Sequence, residues 1–232
     1  MAILGIDTAM TTGGVALIEG QRIMAEYILD VRATHSERLM PAIDLVLKDT
    51  SLDGEGIQGI AVALGPGSFT GLRIGVATAK ALAYTWHKPL IGVSCLEGLA
   101  YQVGYSAPWV CALVDARHDE VYGCLYKIEE LPEAVMDAKA GPVEEFIKEV
   151  LEMVDGRVCF TGDGAVVYKD IIDSLAGDLQ VVPPLNSSYL RASSIALLGR
   201  EYLNRGREDD PLTLAPLYLR LPEAERRLKA RG

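Results

Sequence analysis

The chain has 232 residues, half of them hydrophobic, enough apolar material for one large domain or two smaller ones. Its net charge of -10 argues against a stand-alone binder of nucleic acid, because phosphate contacts need lysine and arginine. No apolar run approaches a membrane span, no basic leader pattern precedes the first strand, and the scattered cysteines (Cys95, Cys111, Cys124, Cys159) lack a C-x-x-C, so they read as buried small hydrophobes in a reducing cytoplasm.

The first predicted element is the strand Ala2-Ile3-Leu4-Gly5-Ile6-Asp7, followed by a polar turn of about seven residues and a returning strand, Gly14 to Ile18. Ile23 to Val31 reads as a third strand. Thr34-His35-Ser36-Glu37 has capping-box spacing and opens a helix toward Lys48, with Leu39, Ile43 and Leu47 on one face. Pro41 lies inside that pattern and predicts a kink or a restart. Ile60 to Leu64 is an apolar strand running into Gly65-Pro66-Gly67-Ser68-Phe69-Thr70-Gly71-Leu72-Arg73-Ile74-Gly75, where glycines permit a tight loop and Ser68 or Thr70 can cap a helix. That helix continues to Trp86. Gly71, Gly75, Ala79 and Ala83 recur on it every fourth residue and form a bare stripe suited to close packing. A strand at Leu90–Val93 and a second capping box, Ser94 to Glu97, follow, and Ser106-Ala107-Pro108 reads as the connection between lobes.

The second half repeats the opening: Val110 to Val114 ends in Asp115, turns, and returns at Val121 to Leu125. Repetition at this spacing implies two related lobes, residues 1–104 and 105–232. Pro142 suits the first turn of a helix that reaches Val154. Arg157 to Thr161 is a strand ending at Gly162-Asp163-Gly164, with a helix from about Ala165; Ser193 and Ser194 open another that ends near Gly206. Asp209-Asp210-Pro211 breaks the chain, Pro216 to Arg220 is extended, and the basic run Arg220 to Arg231 reads as a solvated helical tail ahead of the alternative, an RNA contact.

Two hairpins ending in aspartate, with a strand-Gly-x-Gly turn in the second half, outline an α/β, two-lobed fold of the actin, sugar kinase and Hsp70 type with duplicated βββαβα lobes. In active members the hairpin loops grip ATP phosphates. Here the first loop, Asp7 to Gly14, offers hydroxyls but no lysine or arginine, and the second, Asp115 to Glu120, has no glycine and three carboxylates. Each extra anion beside a phosphate costs roughly several kcal/mol in a partly desolvated cleft. Asp7, Thr8, Asp115, Gly162 and Gly164 therefore read as remnants of a nucleotide loop, or simply as strand-end turn formers. His35 has Arg38 and Leu39 at the positions where a metal-binding helix carries its second histidine, and no nucleophile–base pair or P-loop is present, so no catalytic residue and no metal ligand is assigned.

The stretch Gly65 to Gly75 resembles the hallmark of the TsaB (YeaZ) family. Ile6-Asp7-Thr8, His35 to Leu39, Asp115-Ala116-Arg117 with Glu120-Val121-Tyr122, Gly162-Asp163-Gly164 and Pro216 to Arg220 stand where that family has similar stretches. The resemblance implies a non-catalytic paralogue of TsaD, the subunit that places a threonylcarbamoyl group on N6 of the adenosine beside the anticodon in tRNAs reading ANN codons. It implies pairing with TsaD through helices of the first lobe, a complex joined by the ATPase TsaE, and a homodimer through the same surface when the chain is alone. It implies tRNA reached through the complex, a cytoplasmic location, no cofactor of the chain's own, and ATP or ADP, if anywhere, at the complex interface. On this reading the interface carries His35, Leu39, Ile43, Gly71, Leu72, Gly75, Val76, Ala79 and Ala83. The bare stripe could instead pack inside the first lobe against its own sheet, the lesser of the two readings. Two other classes stay open: an autonomous ATP-dependent enzyme of the sugar-kinase type working at Asp7 and Asp115, and a peptidase, against which the missing Ser–His–Asp and two-histidine patterns argue.

Overall fold

The computed structural model of the chain describes residues 1–30 and 35–220. The first sheet begins as an antiparallel meander of β1 (Ala2–Asp7), β2 (Thr12–Glu19) and β3 (Arg22–Asp30), then adds β4 (Gly59–Gly65) and β5 (Leu90–Ser94) in parallel, in the order β3-β2-β1-β4-β5. The turn between β1 and β2 is shorter than the sequence suggests, because β2 already begins at Thr12, where Thr12 and Gly13 pair with Asp30 and Leu29 of β3. β1 is buried on both faces, and its side chains alternate between two cores, as pleated geometry requires. Leu4 and Ile6 face α1 (His35–Thr50) and α2 (Phe69–Trp86), meeting Leu39, Ile43, Val46, Val76, Ala79 and Ala83. Ile3 faces the other way, into a core that continues to the second sheet.

After α3 (Cys95–Val103), the second sheet opens with the hairpin β6 (Trp109–Arg117) and β7 (Glu120–Ile128), flanked by β8 (Pro132–Ala134) and β9 (Lys139–Pro142). β10 (Val158–Thr161) and the short β11 (Gln180–Val181) complete it in parallel. The helices α4 (Val143–Met153), α5 (Asp163–Val167) and α6 (Lys169–Ala176) belong to this lobe, and Phe146, Ile147, Val150 and Ile172 close its outer core over Cys111 and Leu113. The last helix, α7 (Ala192–Asn204), returns to the first sheet. Gly5 on β1 and Gly199 on α7 let them meet: a Cβ on Gly5 would overlap the Ala192 carbonyl, and one on Gly199 would overlap Ala61. α3 in turn packs on β6, β7 and β10 of the second sheet. β5 and β6 thus lie in different sheets, but each sheet receives a helix from the other half of the chain, and α3 and α7 form a shared middle layer.

Local expectations fare unevenly. α1 runs unbroken through exposed Pro41, the seventh residue of the helix. Thr34 of the first capping box lies outside the described residues. The second box does not form: Ser94 caps α3 without a side-chain bond, and Glu97 instead accepts from the Tyr202 hydroxyl on α7. α7 starts at Ala192, and Glu26 on β3 supplies its cap by accepting from the Ser193 amide at 3.0 Å while pairing with Arg191. All four cysteines are buried and free.

Candidate functional site

Between the lobes lies a cleft of about 340 Å³, lined by Ala9–Thr11 after β1, Gly67 and Ser68 before α2, Val114 to Arg117 on β6, Tyr122 on β7 and Asp163 on α5. The motif stretches, far apart in sequence, converge here. On one wall, Ser68 caps α2 by accepting from the Gly71 amide, its own amide donates to the Ala9 carbonyl at 2.6 Å, and the Thr8 hydroxyl donates to the Gly71 carbonyl at 2.7 Å. Gly67 and Gly71 permit this: a Cβ on either would overlap the carbonyl of Ala9 or of Thr8. On the other wall, the Asp115 amide donates to Asp163 Oδ1 at 3.0 Å, and Asp115 Oδ1 accepts from the Arg117 amide at 2.8 Å and the Tyr168 hydroxyl at 3.0 Å. Gly162, at φ 100°, lets β10 pass into α5 against the Leu113 carbonyl, where a side chain would clash.

Segment 208–220 packs along the first lobe. Asp209 bridges to Leu90, the Leu217 amide donates to the Leu64 carbonyl at 2.8 Å, and Lys80 on α2 donates to the carbonyls of Leu212 and Leu214. Tyr218 then packs on Phe69 with ring centroids 5.0 Å apart, and Arg73 lies 3.8 Å over the Phe69 ring while its Nε donates to the Tyr218 hydroxyl at 3.2 Å. Arg220 crosses to the second lobe, pairing with Glu120 at 2.5 Å and stacking 5.7 Å from the Tyr122 ring. Sequence reasoning quoted Phe69, Arg73, Tyr122, Tyr218 and Arg220 inside motifs without assigning them a role; the signal available was their clustering in those motifs.

Asp7 lies beneath the cleft, fully buried; one carboxylate oxygen accepts from the Ala9 amide at 2.9 Å and the other has no partner. Burial pushes its carboxyl up to about 7, the Ala9 amide pulls it down, and the Asp163 charge adds to the rise. Burial also raises Asp163, against the pull of the Asp115 amide. The actin-like fold implies a magnesium nucleotide in this place, and the residues fit one badly. The first loop's Ala9 amide and carbonyl are spent on Asp7 and Ser68, the lining contains Asp115 and Asp163 against the single cation Arg117, and among the described residues no three acidic, histidine or cysteine side chains converge to hold a metal ion.

The expected interface residues need correction. Leu39, Ile43, Gly71, Leu72, Gly75, Val76, Ala79 and Ala83 are all buried within the first lobe. A Cβ on Gly75 would overlap the Thr8 hydroxyl, so the bare stripe seats α2 on the end of β1, the alternative left open by the sequence. The His35 side chain lies outside the described residues. The outward sides of α1 and α2, which lie side by side on the sheet, carry Met40 and Leu45, and Ala77, Ala81 and Tyr84; Tyr84 is 74% exposed.

A family model described as TsaD, tRNA N6-adenosine threonylcarbamoyltransferase, matches residues 29–228. The tRNA threonylcarbamoyladenosine biosynthesis protein TsaB of Bacillus subtilis is 36% identical over 97% of this chain and 96% of its own length. The chain belongs to the TsaB family. Its fold agrees: YeaZ from Pseudomonas aeruginosa superposes with a TM-score of 0.80 at 24% identity, over 94% of this chain and 99% of that one. A more distant neighbour, the ROK hexokinase of Thermus thermophilus, gives a TM-score of 0.55 at 12% identity over 88% of this chain and 100% of that one, which sets the TsaB architecture among the two-lobed actin-like folds. Among the described residues of this TsaB chain no helix is long and apolar enough to cross a membrane.

Proposed function

We propose that this chain works in tRNA threonylcarbamoyladenosine synthesis as a non-catalytic subunit that pairs with TsaD through the outward sides of α1 and α2, with TsaE joining the pair. The observation that carries the reading is the exposed apolar set Met40, Leu45, Ala77, Ala81 and Tyr84 on two adjacent helices, in a chain whose full-length relative bears the name of that pathway. Small exposed residues at Ala77 and Ala81 allow a partner helix to approach closely, which favours dispersion contact over a bundle interface. The same face supports the homodimer when TsaD is absent. The cleft's excess of carboxylates and its occupied first loop support a chain that takes no nucleotide triphosphate by itself, which weighs against the autonomous kinase-like alternative.

The test is co-purification with TsaD of the same cell, followed by size-exclusion chromatography with light scattering, for the native chain and for Ala81→Glu with Tyr84→Glu. The expected result is a heterodimer that forms at the expense of a homodimer and is lost in the variant while thermal stability is kept. A variant that still pairs would refute the outward face as the interface. Micromolar ATP binding with turnover by the isolated chain would instead establish the kinase-like reading.

A further inference from the structure

Residues 217–220 are anchored on both lobes. On the first lobe, the Leu217 amide donates to the Leu64 carbonyl of β4, the Tyr218 ring packs on Phe69, and Arg73 Nε donates to the Tyr218 hydroxyl. On the second, Arg220 pairs with Glu120 at 2.5 Å and lies 5.7 Å from the Tyr122 ring, both of them on β7. The anchors border the cleft, because Phe69 follows Ser68 of one wall and Tyr122 belongs to the other. The backbone from Tyr218 to Arg220 reaches at most about 7 Å. With Tyr218 seated on Phe69, the β7 wall therefore cannot move far from the α2 wall unless an anchor lets go. So short a tether also holds Arg220 at a high effective concentration beside Glu120. The Arg220 and Glu120 side chains are largely shielded, so water and salt weaken their pair less than a surface pair. The two sheets already share a core around α3 and α7, and residues 217–220 join the lobes a second time, beside the cleft. Across that cleft the charges repel: Asp7 lies beneath the first wall, Asp115 and Asp163 line the second, and the Asp163 charge acts on Asp7. A ligand gripped by both hairpin loops would bridge these walls, and the residues fit a magnesium nucleotide badly; the chain bridges the walls with its own side chains.

We propose that residues 217–220 form a clasp that holds the two lobes at one spacing in place of a bridging ligand, so that the cleft does not open and close as a hinge. Tyr218 on Phe69 and Arg73 is its fixed end, and Arg220 on Glu120 and Tyr122 is its catch. The clasp is internal to this chain and does not depend on pairing with TsaD.

The test measures the distance between the lobes in the full chain by double electron–electron resonance. Nitroxide labels go on Thr70→Cys of α2 and Val167→Cys of α5, both exposed positions, while the four native cysteines are buried. The labelled chain is compared with Tyr218→Ala/Arg220→Ala and with Glu120→Gln in the same background, each with and without magnesium ATP. Cooperative thermal unfolding of each variant checks that it is folded. The labelled chain with an intact clasp should give one narrow distance distribution that magnesium ATP leaves unchanged. The double variant should show a longer component about tenfold more populated, the factor that losing one shielded ion pair and one aromatic contact allows. Glu120→Gln should move the distribution the same way by a smaller amount, and it decides alone if the double variant does not fold. Identical distributions with the clasp intact and released would overturn the proposal. So would a distribution that is broad with the clasp intact and narrows on adding magnesium ATP, because a ligand would then set the spacing.

Discussion

The hairpins β1–β2 and β6–β7 are the same unit built twice, and their ends have diverged. In the first, Asp7 is sealed, its loop is clamped by an 18-residue helix, and Gly67, Gly71 and Gly75 bring that helix onto the carbonyls of Ala9 and Thr8 and the Thr8 hydroxyl. In the second, Asp115 is half-buried with its Oδ1 satisfied, the helix behind it has five residues, and the turn remains open through Arg117, His118 and Asp119. Strand pairing survived the duplication; loop chemistry did not. What packs on a hairpin end decides whether its aspartate faces solvent or becomes part of a core.

Enlarging the glycines that seat the helices would break this comparison most severely. Gly75→Leu forces a branched side chain against Thr8, and the expected loss is about 3 kcal/mol or more in a urea titration, beyond the usual cost of overpacking. Gly162→Ala tests the second lobe: it adds a clash with the Leu113 carbonyl to a φ of 100°, for an expected loss of about 2–3 kcal/mol. A loss below about 1 kcal/mol in either would mean that the helix seat tolerates a displacement that its geometry denies.

Asp7 sharpens the comparison through pH. Burial raises its carboxyl from 3.8 to about 7, so the folded chain holds a proton that the unfolded chain has released, and stability falls as pH rises from about 4 to about 7 and then levels. Glu97, raised by burial to about 7 as well, bends the curve the same way. Asp7→Asn removes only the first contribution, so the difference between the two stability–pH curves isolates it, on the order of a few kcal/mol across that interval. Parallel curves would show that Asp7 is not shut away from water in solution.

Much of this was legible in the sequence. The apolar run Ala2 to Asp7, its repeat at Val110 to Asp115 and the glycine loop before α2 pointed to two α/β lobes, and hydrophobic pattern carries that information locally. The side of α2 that faces inward was not legible. Gly71, Gly75, Ala79 and Ala83 seat a helix on a sheet as well as on a partner, and only the closeness of Thr8 decides between them. Nor was the exchange of α3 and α7 between the sheets, since nothing in Ser193 to Gly206 names the strand it covers. The contacts of segment 208–220 were hidden for a related reason: Arg73 and Tyr218, and Glu120 and Arg220, are far apart in sequence and meet only through the fold.

The smallest effect concerns how the second hairpin is held. Among the hydrogen bonds and ion pairs of the described residues, Arg220–Glu120 ties segment 208–220 to β7 directly, with side chains 17% and 27% exposed, against 55% and 42% for the helical pair Lys169–Asp173. Partial shielding and the Tyr122 ring should make the first pair worth more than the second. A double-mutant cycle of Arg220→Ala with Glu120→Ala is expected to give a coupling of about 1 kcal/mol at low salt, against less than about 0.5 kcal/mol for Lys169→Ala with Asp173→Ala. The Arg220 cycle should resist added salt, because its charges sit against protein and an aromatic face, while the helical pair should fade. Equal couplings would mean that the arginine anchor holds nothing, and that the open turn owes its place to the strained backbone of Arg117 to Asp119 alone.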